Sequence, residues 1–233
     1  MKTLGIIGGL GPQTTSKVYL SVIDLIKKSG RDEYPPIVIY NLPFPFIIED
    51  EAIIQGINSE KMIPYLIEGA KTLERSGANF AILPCNTLHK YITEIRESVK
   101  LPFLSILEET VLFLKFKKIE TVGILATETT IKSKIYENIL KNNKIHVVYP
   151  SLAEQEIINN IIVELLNSRD DNSHTENIQA ICDSMFEKGV NNILLACTDL
   201  QLIKFSLKNN INIIDTTDIL IEASVRELLN NDS

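Results

Sequence analysis

The sequence predicts an α/β protein built from two similar, doubly wound parallel-sheet domains. Two observations carry that prediction. Short β-branched runs alternate with longer amphipathic stretches from end to end, and the second half of the chain repeats the pattern of the first. Strands that are apolar almost throughout, separated by helices, belong to parallel sheets covered on both faces. The composition agrees: 233 residues, 45% hydrophobic, are enough for a sizeable buried core and too apolar for a disordered chain.

In chain order the predicted strands are 3–8, 36–41, 79–84, 119–125, 144–148, 190–195 and 211–214, each rich in Ile, Val or Leu. Helical periodicity is read over 14–29, 58–75, 86–99, 130–142, 152–167, 175–188 and 216–230. The run 168–175 (SRDDNSHT) reads as a polar surface loop between two helices. Residues 77–88 (GANFAILPCNTL) lie over 189–200 (GVNNILLACTDL) at an offset of 112, and 3–7 (TLGII) over 121–125 (TVGIL) at 118. Offsets near half the chain length indicate two related halves. The expected division is 1–103 plus 215–233 for the first domain and 104–214 for the second. Ligands of open α/β sheets sit at the carboxyl ends of the strands, so the active site is expected in the cleft between the domains.

Charge and cysteine usage exclude several functions. A net charge of −7 argues against a nucleic-acid or anionic-membrane partner. No apolar run approaches the roughly 18 residues of a spanning helix. The N-terminal apolar stretch, about five residues long, is too short for a signal peptide. Three cysteines are too few for a disulfide scaffold and fit a reducing cytoplasm.

The repeat sorts those cysteines. Cys85 and Cys197 each follow a predicted strand and precede a predicted helix, whose positive end lowers a thiol pKa. Free cysteines are often core residues, but the repeated placement, followed by Asn86 and Thr87 in one half and Thr198 and Asp199 in the other, favours chemistry. Cys182, within a helical pattern, reads as core. Two thiols on opposite sides of one substrate suit two-base proton transfer at carbon. The spacing offers neither a CxxC redox pair nor a zinc site, so no metal is expected.

The loop 5–15 (GIIGGLGPQTT) joins the first strand to its helix. Gly8, Gly9 and Gly11, with Leu10 between them, allow close backbone approach to a small anion, and a tight turn alone explains them nearly as well. Thr14 or Thr15 is available to cap the helix. The order GGLGP differs from a dinucleotide fingerprint, and no GK[ST] follows for a P-loop. The corresponding turn of the second half, 126–130, offers Thr127, Thr129 and Thr130. His89 is one turn beyond Cys85, close enough to touch the site, although an exposed helix histidine is the commoner outcome. His146 and His174 receive no role, and Tyr19 and Tyr136 are read as packing residues.

With GGLGPQTT at 8–15, ILPCNTLH at 82–89, GILATETT at 123–130, LLACTDL at 194–200 and IDTTDIL at 214–220, the sequence resembles the cofactor-independent aspartate/glutamate racemases over nearly its whole length. The resemblance implies an Asp/Glu racemase-like fold and an isomerase that interconverts L- and D-amino acids without pyridoxal phosphate or metal. It places the acid/base pair on Cys85 and Cys197, the α-carboxylate on Asn86, Thr87, Thr127, Thr130 and Thr198, and the final helix back on the first domain. It further implies a homodimer. The same cysteines also admit a maleate isomerase or hydantoin racemase reaction, or a silent small-anion binder. The side-chain end of the site departs from the family. Aspartate-specific relatives hold the distal carboxylate with basic residues, yet no Lys or Arg lies between Arg31 and Lys61 or between Lys144 and Arg169. The loop 41–51 is instead apolar, with Phe44, Phe46, Ile47 and Ile48, so an altered or broadened side-chain preference is expected.

Overall fold

A computed structural model describes residues 1–166, 172–203 and 210–230. Its eight strands are β1 (Leu4–Gly8), β2 (Ile37–Asn41), β3 (Phe80–Ile82), β4 (Phe103–Leu104), β5 (Thr121–Ala126), β6 (His146–Val148), β7 (Asn192–Ala196) and β8 (Asn212–Asp215). The helices are α1 (Pro12–Lys28), α2 (Phe46–Glu49), α3 (Ile63–Arg75), α4 (Ile92–Ser98), α5 (Ile106–Phe116), α6 (Glu128–Lys132), α7 (Ile135–Asn142), α8 (Leu152–Leu166), α9 (Asn172–Glu187) and α10 (Thr216–Leu229). Two four-stranded, wholly parallel sheets result, ordered β2-β1-β3-β4 and β6-β5-β7-β8. The repeat in the sequence is thus a repeat of topology, each strand of the first sheet having its counterpart in the second.

The chain divides into two compact units, residues 1–110 with 217–233, and residues 111–216. In the first, Ile7, Leu66, Leu73, Leu83 and Leu88 pack in one core beside β1 and β3. Salt bridges Lys17–Asp218 (2.8 Å), Lys2–Glu227 (2.7 Å) and Arg226–Glu109 (2.6 Å) tie α10 to α1, the N-terminus and the first turn of α5, all within the same unit. In the second, Ile158, Ile161, Ile162 and Leu165 of α8 and Ile178, Ile181, Cys182 and Met185 of α9 cover β5 and β7. Cys182 is wholly buried, and burial pushes its thiol up to about 12, as befits a core residue.

Two coincidences of the repeat have physical explanations. Gly77 and Gly189 end α3 and α9 with φ of +82° and +83°, a left-handed conformation that glycine adopts without a Cβ clash. Each then turns the chain directly into β3 or β7. Gly5 and Gly123 sit in the central strands beneath a packed helix. A Cβ on Gly123 would lie 2.6 Å from Met185 Sδ and 2.7 Å from Ile193 Cδ1, whereas one on Gly5 meets nothing closer than 3.1 Å.

Several sequence-based expectations are corrected. β4 is an eighth strand, missed because only two residues pair. The helix expected from 14 starts at Pro12, whose missing N–H costs nothing at a first turn. The pattern 58–75 opens as a 3-10 turn at Ser59–Met62, and the pattern 86–99 as one at Thr87–Tyr91. The pattern 130–142 is broken where Lys134 takes φ of +56°, separating α6 from α7. The polar run 168–175 falls partly outside the described residues, and its positions 172–175, His174 included, form the first turn of α9. The apolar loop 41–51 contains α2 and runs into a π-turn at Asp50–Ile54. No helix among the described residues is long and apolar enough to cross a membrane.

Gly123→Ala is expected to lower the unfolding free energy by about 1–3 kcal/mol, because the core must shift to accept the methyl group. Gly5→Ala is expected to cost less. Urea titrations of the two variants check the order.

Candidate active site

In each sheet the order places the first strand of the unit beside the third, so the chain leaves these two strands at adjoining positions on the carboxyl edge. In the first unit the edge carries Gly9, Leu10 and Gly11 after β1 and Cys85, Asn86 and Thr87 after β3. In the second it carries Thr127 and Thr130 after β5 and Cys197, Thr198 and Asp199 after β7. Apart from the small exposed faces of the loop, these side chains are buried: Cys85 is 8% exposed, Cys197 6%, Asn86 2% and Thr130 1%.

The loop after β1 is shaped from within. Gly9, at φ +95°, donates its N–H to Thr15 Oγ1 (3.1 Å), and that hydroxyl donates to Gly11 O (3.2 Å). Gly11 is the N-cap of α1 and no side chain caps the helix, so the expected capping role of Thr14 or Thr15 is replaced by this internal brace. After β5, Thr127 caps α6: its Oγ1 accepts the Thr130 N–H (3.1 Å) and donates to Thr130 Oγ1 (2.9 Å). The two threonines therefore form one hydroxyl pair at the strand end.

The cysteine turns are short 3-10 turns, Thr87–Tyr91 and Thr198–Leu202, where α-helices were expected. Their five residues align few peptide dipoles, so the helix-end field invoked for the thiols is weak, and neighbouring groups decide the local chemistry. Beside Cys197 the neighbour is Asp199. The thiol donates to Asp199 Oδ2 across 3.8 Å, and burial raises the carboxyl above its ordinary value. A desolvated carboxylate one hydrogen bond from a thiol can receive or orient its proton.

Beside Cys85 the neighbour is His89, which is 1% exposed, not the exposed helix residue that its position in the pattern predicts. Its Nε2 accepts the Ile106 N–H (3.1 Å) at the start of α5, so the ring proton resides on Nδ1 and is donated to Cys85 O (2.8 Å). Burial pushes this imidazole down to about 4, so it stays neutral at ordinary pH. It is a clamp between the cysteine turn and α5.

Two further residues escaped the sequence reading. Gln155 of α8 donates to Ala126 O (2.9 Å), at the end of β5, and Asn159 Oδ1 accepts from Glu128 N–H (3.2 Å) in the turn that follows. The available signal was a glutamine on the otherwise aliphatic stripe 155, 158, 161, 162 and 165. Among the described residues no group of three or more His, Cys, Asp or Glu side chains is assembled for a metal ion.

Two parallel sheets of identical order, each with a cysteine on the turn after its third strand, define a two-domain α/β enzyme of the racemase class. Residues 7–224 match the model of the Asp/Glu/Hydantoin racemase family, and the chain belongs to that family. Among curated relatives, the broad specificity amino-acid racemase RacX of Bacillus subtilis (strain 168) is 33% identical over 233 residues, covering 97% of this chain and 98% of the relative. Among solved structures, an aspartate racemase homologue from Pyrococcus horikoshii OT3 superposes with a TM-score of 0.83 at 26% identity, covering 99% of this chain and 100% of the other. The Picrophilus torridus aspartate racemase gives 0.77 at 27% identity, covering 98% and 94%.

The His89 clamp has a pH signature. Its folded-state pKa of about 4 lies below the ordinary imidazole value of 6.5, so the unfolded chain takes up the proton first. Its contribution to stability is complete above pH 6.5 and declines as pH falls toward 4, by about 3 kcal/mol in all. Urea titrations from pH 7 to pH 4 are expected to show a flatter stability profile for His89→Gln than for the wild type.

Proposed function

We propose that the protein is an amino-acid racemase in which Cys85 and Cys197 exchange protons with opposite faces of the substrate Cα. One thiolate removes the α-proton and becomes a thiol. The carbanion is delocalised into the adjacent carboxylate, and the other thiol delivers its proton to the opposite face, becoming a thiolate. One C–H bond breaks, one forms, and the two sulfurs exchange protonation states, so that the enzyme is set for the reverse direction.

The observation that carries this reading is the matched position of the two cysteines on the turns after β3 and β7, in sheets of the same order. Their near-complete burial supports it, because proton abstraction from carbon benefits from a site closed to water. In this scheme Asn86, Thr87 and Thr198 join the Thr127–Thr130 hydroxyl pair in holding the α-carboxylate. Hydrogen bonds to a carboxylate strengthen as charge develops on it, which lowers the barrier to the carbanion. Asp199 orients the Cys197 proton, and His89 holds the Cys85 turn. The racemase names of the relatives, including the broad-specificity enzyme of Bacillus subtilis, agree with this chemistry.

Cys85→Ala and Cys197→Ala are each expected to reduce racemisation by about 10²-fold or more, the usual contribution of a positioned acid or base. Chiral chromatography of products from L- and D-amino acids measures this. Wild-type rates in both variants would overturn the two-thiol assignment.

A further inference from the structure

Gln155 has an amide that is only half satisfied. The residue is 8% exposed, and its Nε2 donates to both Ala126 O (2.9 Å) and Asn159 Oδ1 (2.9 Å). These contacts orient the amide. Asn159 Oδ1 is itself identified as the oxygen by the Glu128 N–H it accepts, and exchanging the ends of Gln155 would set its oxygen against two acceptors. Gln155 Oε1 therefore has a fixed direction, and it has no hydrogen-bond partner. An unpaired buried acceptor destabilises the fold, and four aliphatic residues share its stripe of α8.

Its position connects it to the site. Ala126 is the last residue of β5, immediately before Thr127, and α8 also packs against the 3-10 turn that follows Cys197. No Lys or Arg lies between Lys144 and Arg169, so α8 carries no cation to hold a distal carboxylate.

We propose that Gln155 Oε1 is the specificity-determining acceptor for the substrate side chain, selecting amino acids whose side chain ends in an N–H donor, whether amide, ammonium or guanidinium. A donor would satisfy the orphaned oxygen. A carboxylate would place acceptor against acceptor with no proton between them, and an aliphatic side chain would leave the oxygen unpaired. This inference rests on the racemase reading and specifies its substrate class.

The test compares kcat/KM of the full chain for L-glutamine, L-lysine, L-norleucine and L-glutamate, in the wild type and in Gln155→Met and Asn159→Ala. The wild type is expected to favour glutamine or lysine over glutamate by about tenfold or more, the equivalent of one buried hydrogen bond. Gln155→Met, close in shape and without the acceptor, is expected to reduce the preference for glutamine over norleucine by a similar factor. Asn159→Ala removes one of the two acceptors that orient the amide, so it is expected to weaken the preference for glutamine over norleucine in the same direction as Gln155→Met and by less. If Gln155→Met does not fold, Gln155→Glu replaces it and is expected to raise lysine relative to glutamine. A wild type that prefers glutamate, or a Gln155→Met variant whose four values fall together, overturns the specificity role while racemisation stands. A wild type that inverts no amino acid overturns the racemase reading, and this inference with it.

Discussion

A parallel sheet wound outward from its centre leaves one stretch of its carboxyl edge uncovered by the connections, between the two strands where the winding reverses. Every other feature of this protein depends on that constraint. The orders β2-β1-β3-β4 and β6-β5-β7-β8 put the reversal at β1/β3 and β5/β7, and the candidate site residues follow those four strands. Elsewhere each sheet is covered by aliphatic side chains, and polar groups there would only cost stability. At the edge, backbone donors and short hydroxyl side chains gather at the strand ends, buried from bulk water.

The environment of each thiol comes from neighbours, since the 3-10 turns that follow are too short to supply a strong helix-end field. Around Cys197 the neighbour is an acceptor, Asp199, whose buried carboxyl has its pKa raised by desolvation. Around Cys85 it is a neutral imidazole that holds the main chain. The two halves have matching topology and different local chemistry. In the proposed two-thiol scheme, this asymmetry gives the two sulfurs different acid–base neighbours.

Much of this was legible in the residues. The offset of 112 between 77–88 and 189–200 located both cysteine turns, and the coincident glycines at 77 and 189 prove to be left-handed helix ends. Cys182 was recognised as core from its place within a helical pattern. What periodicity missed has physical causes. The two-residue strand β4 is below the length at which alternation can be seen. The 3-10 turns and the break at Lys134 depend on backbone angles that an apolar pattern does not encode. His89 was misjudged because its burial comes from α5, whose first N–H it accepts 17 positions away. Gln155 was overlooked for a similar reason, its partner Ala126 lying 29 positions earlier in the chain.

The central claim, that two thiols serve opposite faces of one carbon, is tested most directly by isotope incorporation. The wild-type enzyme is incubated in D₂O with one enantiomer of its best substrate, and both enantiomers are separated and weighed by mass spectrometry at a few per cent conversion. Two-base transfer predicts one deuterium at Cα in every product molecule and none in the remaining substrate. Product that retains the substrate's own hydrogen, or deuterium entering the starting enantiomer as fast as product forms, would contradict the account.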